Sequence, residues 1–148
     1  MITRKHVHEI ALPATPERVF ALLVTPSAIR QWWSAARAVV LAQDNGIWAA
    51  AWGANEDQPD YITACRIQTY DPPHRIVLTD YRYFAKDGPL PFTANFVTEF
   101  TVDPTTGGCV LRVSQDGFPL EPSADAFYAG CEIAWRNTFE GIQRYLTE

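Results

Sequence analysis

Ser123-Ala-Asp-Ala-Phe-Tyr-Ala-Gly-Cys-Glu-Ile-Ala-Trp-Arg-Asn-Thr-Phe-Glu-Gly-Ile-Gln-Arg-Tyr145 is the stretch on which the reading of this chain turns. At helical spacing, Phe127, Tyr128, Cys131, Ala134, Trp135, Thr138, Phe139, Ile142, Tyr145 and then Leu146 fall on one broad apolar stripe, the period of an amphipathic helix facing a core. Pro122-Ser123 is a natural start, with the Ser hydroxyl placed to cap an orphan N–H. Such a helix runs about 35 Å at 1.5 Å per residue. That is long for a chain of 148 residues, so the remainder is expected to wrap around it. Gly130 and Gly141 lie inside it, each costing about 1 kcal/mol against Ala. Either the sheet approaches closely at both, which is the preferred reading, or the helix bends to admit a ligand.

Upstream of the helix, strand signals dominate. His6–Leu12 alternates and stops at Pro13, giving a first strand. Thr15-Pro16-Glu17 opens a helix, with Thr15 as N-cap and Pro16 at a position where its missing N–H costs nothing. Thr25-Pro26-Ser27 opens a second short helix in the same way, carrying Ile29, Trp32 and Trp33. Arg37–Leu41 and Ile47–Trp52 read as a hairpin about Asp44-Asn45-Gly46, the Asn-Gly pair suiting a type I′ turn. Gly53–Asp60 is a polar loop. Tyr61–Tyr70 and Arg75–Phe84 are strands, separated at Asp71-Pro72-Pro73 because two prolines cannot sit in a central ladder. Lys86–Pro91 is a turn-rich connection. Phe92–Val102 alternates with Phe96, Thr98, Phe100 and Val102 on one face, as expected when one side of a strand is buried and the other wet. Asp103–Gly108 is a hairpin loop, and Cys109–Gln115 is the last strand, ended by Asp116-Gly117. Strand, two short helices, six strands and a long helix make an α+β chain with an antiparallel sheet, expected to be one domain over residues 1–148.

Composition narrows the function classes. Hydrophobic residues are 47% and charged residues 20%, which describes a globular chain. The net charge of −5 argues against a nucleic-acid partner. The N-terminus lacks the apolar run of a signal peptide, and no 18-residue apolar run is present to span a membrane. Cys65, Cys109 and Cys131 are odd in number and far apart, as reduced thiols in a cytoplasmic protein would be. His6 and His8 have metal-capable spacing with no third ligand evident, so neither a metal nor a cofactor is expected. Aromatics at 13% are abundant, enough to fill a core and also to line a pocket for a flat apolar ligand.

Several motifs together resemble the START-like (SRPBCC, helix-grip) superfamily, most closely the single-domain homologues of the heat shock protein 90 ATPase activator. The matching residues are Pro13–Phe20, Thr25–Ile29 with Trp32-Trp33, Asp71–Val77, the Gly107-Gly108 hairpin, and Trp135, Phe139, Ile142, Tyr145 and Leu146 of the closing helix. Two positions depart from the family pattern: Cys109 stands where members usually have Thr, and Ala134 where many have Gly. The resemblance implies a curved seven-stranded antiparallel sheet around the C-terminal helix. It also implies a cavity between them that takes lipid-, steroid- or polyketide-like molecules. The chaperone-activating role belongs to a larger eukaryotic relative with an extra N-terminal domain, so it is kept as an alternative.

On this reading the cavity is walled by Trp33, Trp48, Trp52, Tyr81, Phe96, Phe100, Tyr128, Cys131 and Trp135. Trp48, Ala50 and Trp52 share one strand face, and the small alanines beside them leave volume for a ligand or for the helix to fill. Of the adjacent Trp32 and Trp33, either both pack, or one packs while the other caps the cavity mouth. Asp80 and Arg66 form either a polar anchor on the inner face or a solvated pair on the outer one. No G-x-S-x-G, P-loop, GxGxxG or HExxH motif is present, so the reading leans away from an enzyme. The first expectation is therefore a protein that binds a small hydrophobic molecule. A charged residue at Trp48 or Phe100 is then expected to harm binding more than folding. The alternatives are a polyketide cyclase or dehydratase using Asp80, Arg66 or a Tyr as acid–base groups, and an interaction module that partners a chaperone or forms a homodimer.

Overall fold

The computed structural model describes residues 2–55 and 57–147; position 56, within the loop expected over Gly53–Asp60, lies outside the described residues. The elements are β1 (Thr3–Leu12), α1 (Pro16–Val24), α2 (Pro26–Trp32), β2 (Arg37–Val40), β3 (Ile47–Trp52), β4 (Tyr61–Asp71), β5 (Arg75–Ala85), β6 (Val97–Thr105), β7 (Gly108–Pro119) and α3 (Asp125–Thr147). The seven strands form one antiparallel sheet in the order β1-β7-β6-β5-β4-β3-β2. β1 and β2 are its opposite edges, and α1 and α2 carry the chain between them. The curved sheet holds α3 in its concave face, the helix-grip arrangement expected. Alternation decides which side chains face the core under α1 and α3: Phe100 and Val102 on β6, and Cys109, Leu111 and Val113 on β7, are all buried.

Several boundaries move for identifiable reasons. The strand expected from Phe92 begins only at Val97, and Phe92–Phe96 is irregular. The strand expected to end at Asp116-Gly117 continues to Pro119, because Gly117 adopts a φ of 101° and carries the chain on. The six-residue loop expected over Asp103–Gly108 is a tight turn, with Thr105 paired to Gly108 and Gly107 at a φ of 83°. Thr15 caps α1, its hydroxyl accepting from the Arg18 N–H at 3.2 Å. Thr25 does not cap α2; its hydroxyl donates back to the Ala21 carbonyl at 2.6 Å. Ser123 does not cap α3 either: it sits in a 3-10 turn over Pro122–Ala124, and its hydroxyl bonds the Glu121 carboxylate. At Asn45-Gly46 only Asn45 has a positive φ, 63°, so the turn is not type I′. The Asn45 N–H and the Gly46 carbonyl instead bond Ile67 on β4.

A second irregularity positions the site. Along β5, Ile76 and Leu78 face inward, and strict alternation would send Asp80 inward too. The β4–β5 register slips by one between the Ala64–Arg82 and Arg66–Thr79 pairs, and Asp80 takes a φ of 55°. This is a β-bulge, a site where Asp tolerates the left-handed region. It turns Asp80 out to solvent, where its carboxylate meets Arg66 Nε at 2.7 Å. The next side chain inward is Tyr81.

The two glycines of α3 separate. A Cβ at Gly141 would lie 2.6 Å from the Trp32 carbonyl oxygen, so this glycine permits α2 and α3 to touch. A Cβ at Gly130 would meet nothing within 4 Å, which corrects the expectation of close packing at both. Gly130→Ala is therefore expected to stabilise the protein by about 1 kcal/mol through helix propensity, raising Tm by roughly 2–4 °C. Gly141→Ala is expected to destabilise by about 1–2 kcal/mol, because backbone overlap outweighs the propensity gain. Thermal unfolding of both variants checks this; shifts of the same sign would contradict the assignment.

Candidate functional site

Between the sheet and the N-terminal half of α3 lies a cavity of about 530 Å³. The small side chains anticipated on β3 contribute to it. Trp48, Ala50 and Trp52 pair across the sheet with Cys65, Thr63 and Tyr61, and the alanine between two indoles leaves the space into which Trp33 projects. Trp33 is the hub, its ring centroid 5.6 Å from Trp48, 5.5 Å from Trp52 and 5.9 Å from Trp135. Trp32 stacks on it at 4.9 Å but is buried in the core, with its indole N–H on the Leu22 carbonyl. The tryptophan pair therefore divides its work: one packs, and the other lines the cavity.

Trp33, Trp48, Trp52, Tyr81, Phe96, Phe100, Cys131 and Trp135 all line this space. Tyr128 does not. Its ring stacks on His6 of β1 at 3.8 Å and its hydroxyl donates to the Lys5 carbonyl at 2.8 Å. One helical position decides this, since Phe127 points into the cavity and Tyr128 points to the sheet edge. The sequence reading also missed Tyr61, Thr63, Thr98, Gln115, Phe127 and Gly130, which line the cavity as well. Phe127 was visible on the helical stripe, and Thr63 stands two residues from Cys65 on one strand face. Gln115 is reached only through the register that places it opposite Thr98. The open side lies where Tyr61 and Tyr83, both partly exposed, approach the exposed Gly130 and Ala134 of α3.

The walls are held by hydrogen bonds, two to backbone carbonyls behind the cavity and two along its wall. Trp48 donates to the Leu23 carbonyl at 2.9 Å and Trp52 to the Trp33 carbonyl at 3.1 Å. Trp135 donates to Gln115 Oε1 at 2.7 Å. Tyr81 bonds Thr98 Oγ1 at 2.5 Å. Burial pushes the Tyr81 phenol up, so it stays protonated in ordinary buffers. The Cys65 and Cys131 thiols are pushed up to about 12 by burial, so neither is a nucleophile at neutral pH. Asp80 and Arg66, held open as a polar anchor, are outside the cavity on the far face of the sheet.

β1 fastens the cavity end of α3. Arg4 pairs with Asp125 at 2.5 Å and lies over the Tyr128 ring at 4.3 Å. His6 is buried between Tyr128 and Phe118, its Nε2 donating to the Tyr128 carbonyl at 2.8 Å. Desolvation lowers the proton affinity of both His6 and His8; at His6 the Tyr128 carbonyl and Glu132 oppose this and Arg4 adds to it, while at His8 the neighbouring His6 and Arg136 add to it and Glu132 opposes it. The unfolded chain therefore takes up these protons first, near pH 6.5, and stability falls as pH drops below that value. The urea midpoint is expected to be lower at pH 5.5 than at 7.5, and the loss to shrink in His6→Gln/His8→Gln. An equal loss in the variant would remove the histidines as its source. Among the described residues no group of His, Cys, Asp and Glu is arranged to hold a metal ion, and no helix is long and apolar enough to cross a membrane.

The family model for activator of Hsp90 ATPase homolog 1-like protein matches residues 13–147. No curated protein matches the chain. Among solved structures, protein MLL2253 from Mesorhizobium loti is similar with a TM-score of 0.79 and 23% identity, covering 97% of each chain. The Aha1 dimer from Colwellia psychrerythraea superposes with a TM-score of 0.71 and 14% identity, over 99% of this chain and 96% of that one. DynU16, a protein in the dynemicin biosynthetic locus, gives 0.73 and 15% identity over 97% of this chain and 47% of that one. At these identities the likeness speaks for the fold.

Proposed function

The chain belongs to the family of activator of Hsp90 ATPase homolog 1-like proteins, within the START-like superfamily, and from that premise we propose that it binds a small hydrophobic molecule between its sheet and α3. The observation that carries this reading is the aromatic-walled cavity of about 530 Å³, within the range of small-molecule sites. Burying apolar ligand surface, at roughly 25 cal/mol per Å², drives binding. Indole N–H groups already engaged with the protein hold the walls in place before a ligand arrives, which limits the ordering cost.

A cyclase or dehydratase reading has less support. The described residues lining the cavity include no Asp, Glu, His, Lys or Arg, so acid–base work would fall to the tyrosines, and the Tyr81 phenol is bonded to Thr98 and kept protonated by burial. Thermal-shift screening against lipids, steroids, flavonoids and aromatic polyketides tests the binding reading. A ligand at a hundred times its Kd adds about 2.7 kcal/mol, or roughly 5–11 °C in Tm. No shift for any class would overturn it. Self-association and a cytoplasmic location complete the proposal; light scattering at two protein concentrations checks the first, and localisation of a tagged chain the second.

A further inference from the structure

The cavity wall carries a polar strip across β5, β6 and β7, and every member of it is neutral. Tyr81 on β5 donates to Thr98 on β6 at 2.5 Å. Thr98 pairs across the sheet with Gln115 on β7, and Gln115 accepts from the Trp135 indole at 2.7 Å. An indole N–H only donates, so the Gln115 amide turns its oxygen to Trp135 and keeps its NH₂ donors. The Tyr81 hydroxyl is spent on Thr98 Oγ1, which leaves the Thr98 O–H. The strip thus retains donors and presents no charge.

No Lys or Arg is among the described residues that line the cavity. Lys86, beside the register partner of Tyr61, is already paired with Asp60 at 3.2 Å. Arg66 is occupied by Asp80 and Asn45 on the outer face. An anionic head group entering the cavity would lose its water and meet no counter-charge, which is the costly case for a buried ion. An uncharged oxygen loses only weak hydration and gains donors fixed in position.

Resting on the binding reading above, the geometry points to one ligand class: an uncharged, flat aromatic molecule bearing a carbonyl, ether or hydroxyl oxygen. That oxygen accepts from the Thr98–Gln115 strip while its rings lie among Trp33, Trp52 and Trp135. Carboxylate-bearing ligands such as fatty acids are rejected.

Three probes of one ring system test this: 1-pyrenemethanol, 1-pyrenecarboxylate and 1-methylpyrene, titrated at pH 7.5 with energy transfer from tryptophan to pyrene as readout. The alcohol is expected to bind about tenfold or more tighter than the carboxylate. Tyr81→Phe/Thr98→Val removes both hydroxyls together, which is gentler on folding than removing one. It is expected to weaken the alcohol about fivefold, while 1-methylpyrene, having no oxygen, reports that the variant still folds around its cavity. A carboxylate within tenfold of the alcohol, or an alcohol affinity unmoved in the double variant, overturns the ligand class and leaves the cavity reading standing. Failure of both neutral probes to bind overturns the cavity reading itself, and the ligand class with it.

Discussion

Trp48→Ala is expected to cost the protein about 3–5 kcal/mol, the usual range for truncating a buried Trp or Phe, which lowers Tm by roughly 6–20 °C for a chain of this size. Trp48 is 4% exposed and stands between the packed core and the cavity. One side of its ring meets Trp33, and the indole N–H holds the Leu23 carbonyl of α1 at 2.9 Å. Truncation leaves that carbonyl without its donor and opens a void that the neighbouring strands cannot close. Urea denaturation with an unchanged midpoint would show that Trp48 is not part of the core. Its burial, and that of Phe100 at 4% exposure, weighs against the expectation that a charged residue at either position harms binding more than folding. An unpaired charge there sits in the core, so such variants report unfolding before they report binding.

Cys131→Trp is expected to leave stability nearly intact and to reduce ligand affinity by about a hundredfold, or abolish it. Cys131 is partly buried on α3 and borders the cavity. An added ring there enters space that is already empty, so the overpacking that usually penalises small-to-large changes in a dense core is avoided. The same ring occupies the volume a ligand needs. Titration of 1-pyrenemethanol beside a urea curve separates the two effects. Undiminished binding in a folded variant would move the site away from α3, and unfolding would show that the cavity is smaller than 530 Å³ implies.

Much of the architecture was legible because it depends on local chemistry. Pro16 and Pro26 at first helical positions, the Pro72-Pro73 break and the spacing along α3 each state a conformation that neighbouring residues can enforce alone. The caps were less legible. Thr25 and Ser123 are good capping residues, but their hydroxyls found nearer partners in Ala21 and Glu121. The aromatic walls were largely visible too, since Trp48 and Trp52 share a face by parity and Cys131 and Trp135 lie on one helical stripe. Tyr128 was misplaced because the stripe is broad, and its edge serves β1 rather than the cavity.

The sequence by itself determined the order of elements, the long closing helix and an aromatic lining, since hydrophobic period and turn chemistry act over a few residues. Only the tertiary structure decided which polar groups meet that lining. The bulge at Asp80 shifts parity by one, sending the Asp80–Arg66 pair outward and Tyr81 inward, and strand pairing alone brings Gln115 beside Thr98. A one-residue slip in register exchanges the two faces of a strand. That choice is made by the energy of the whole sheet closing on α3, which no local stretch of the chain contains.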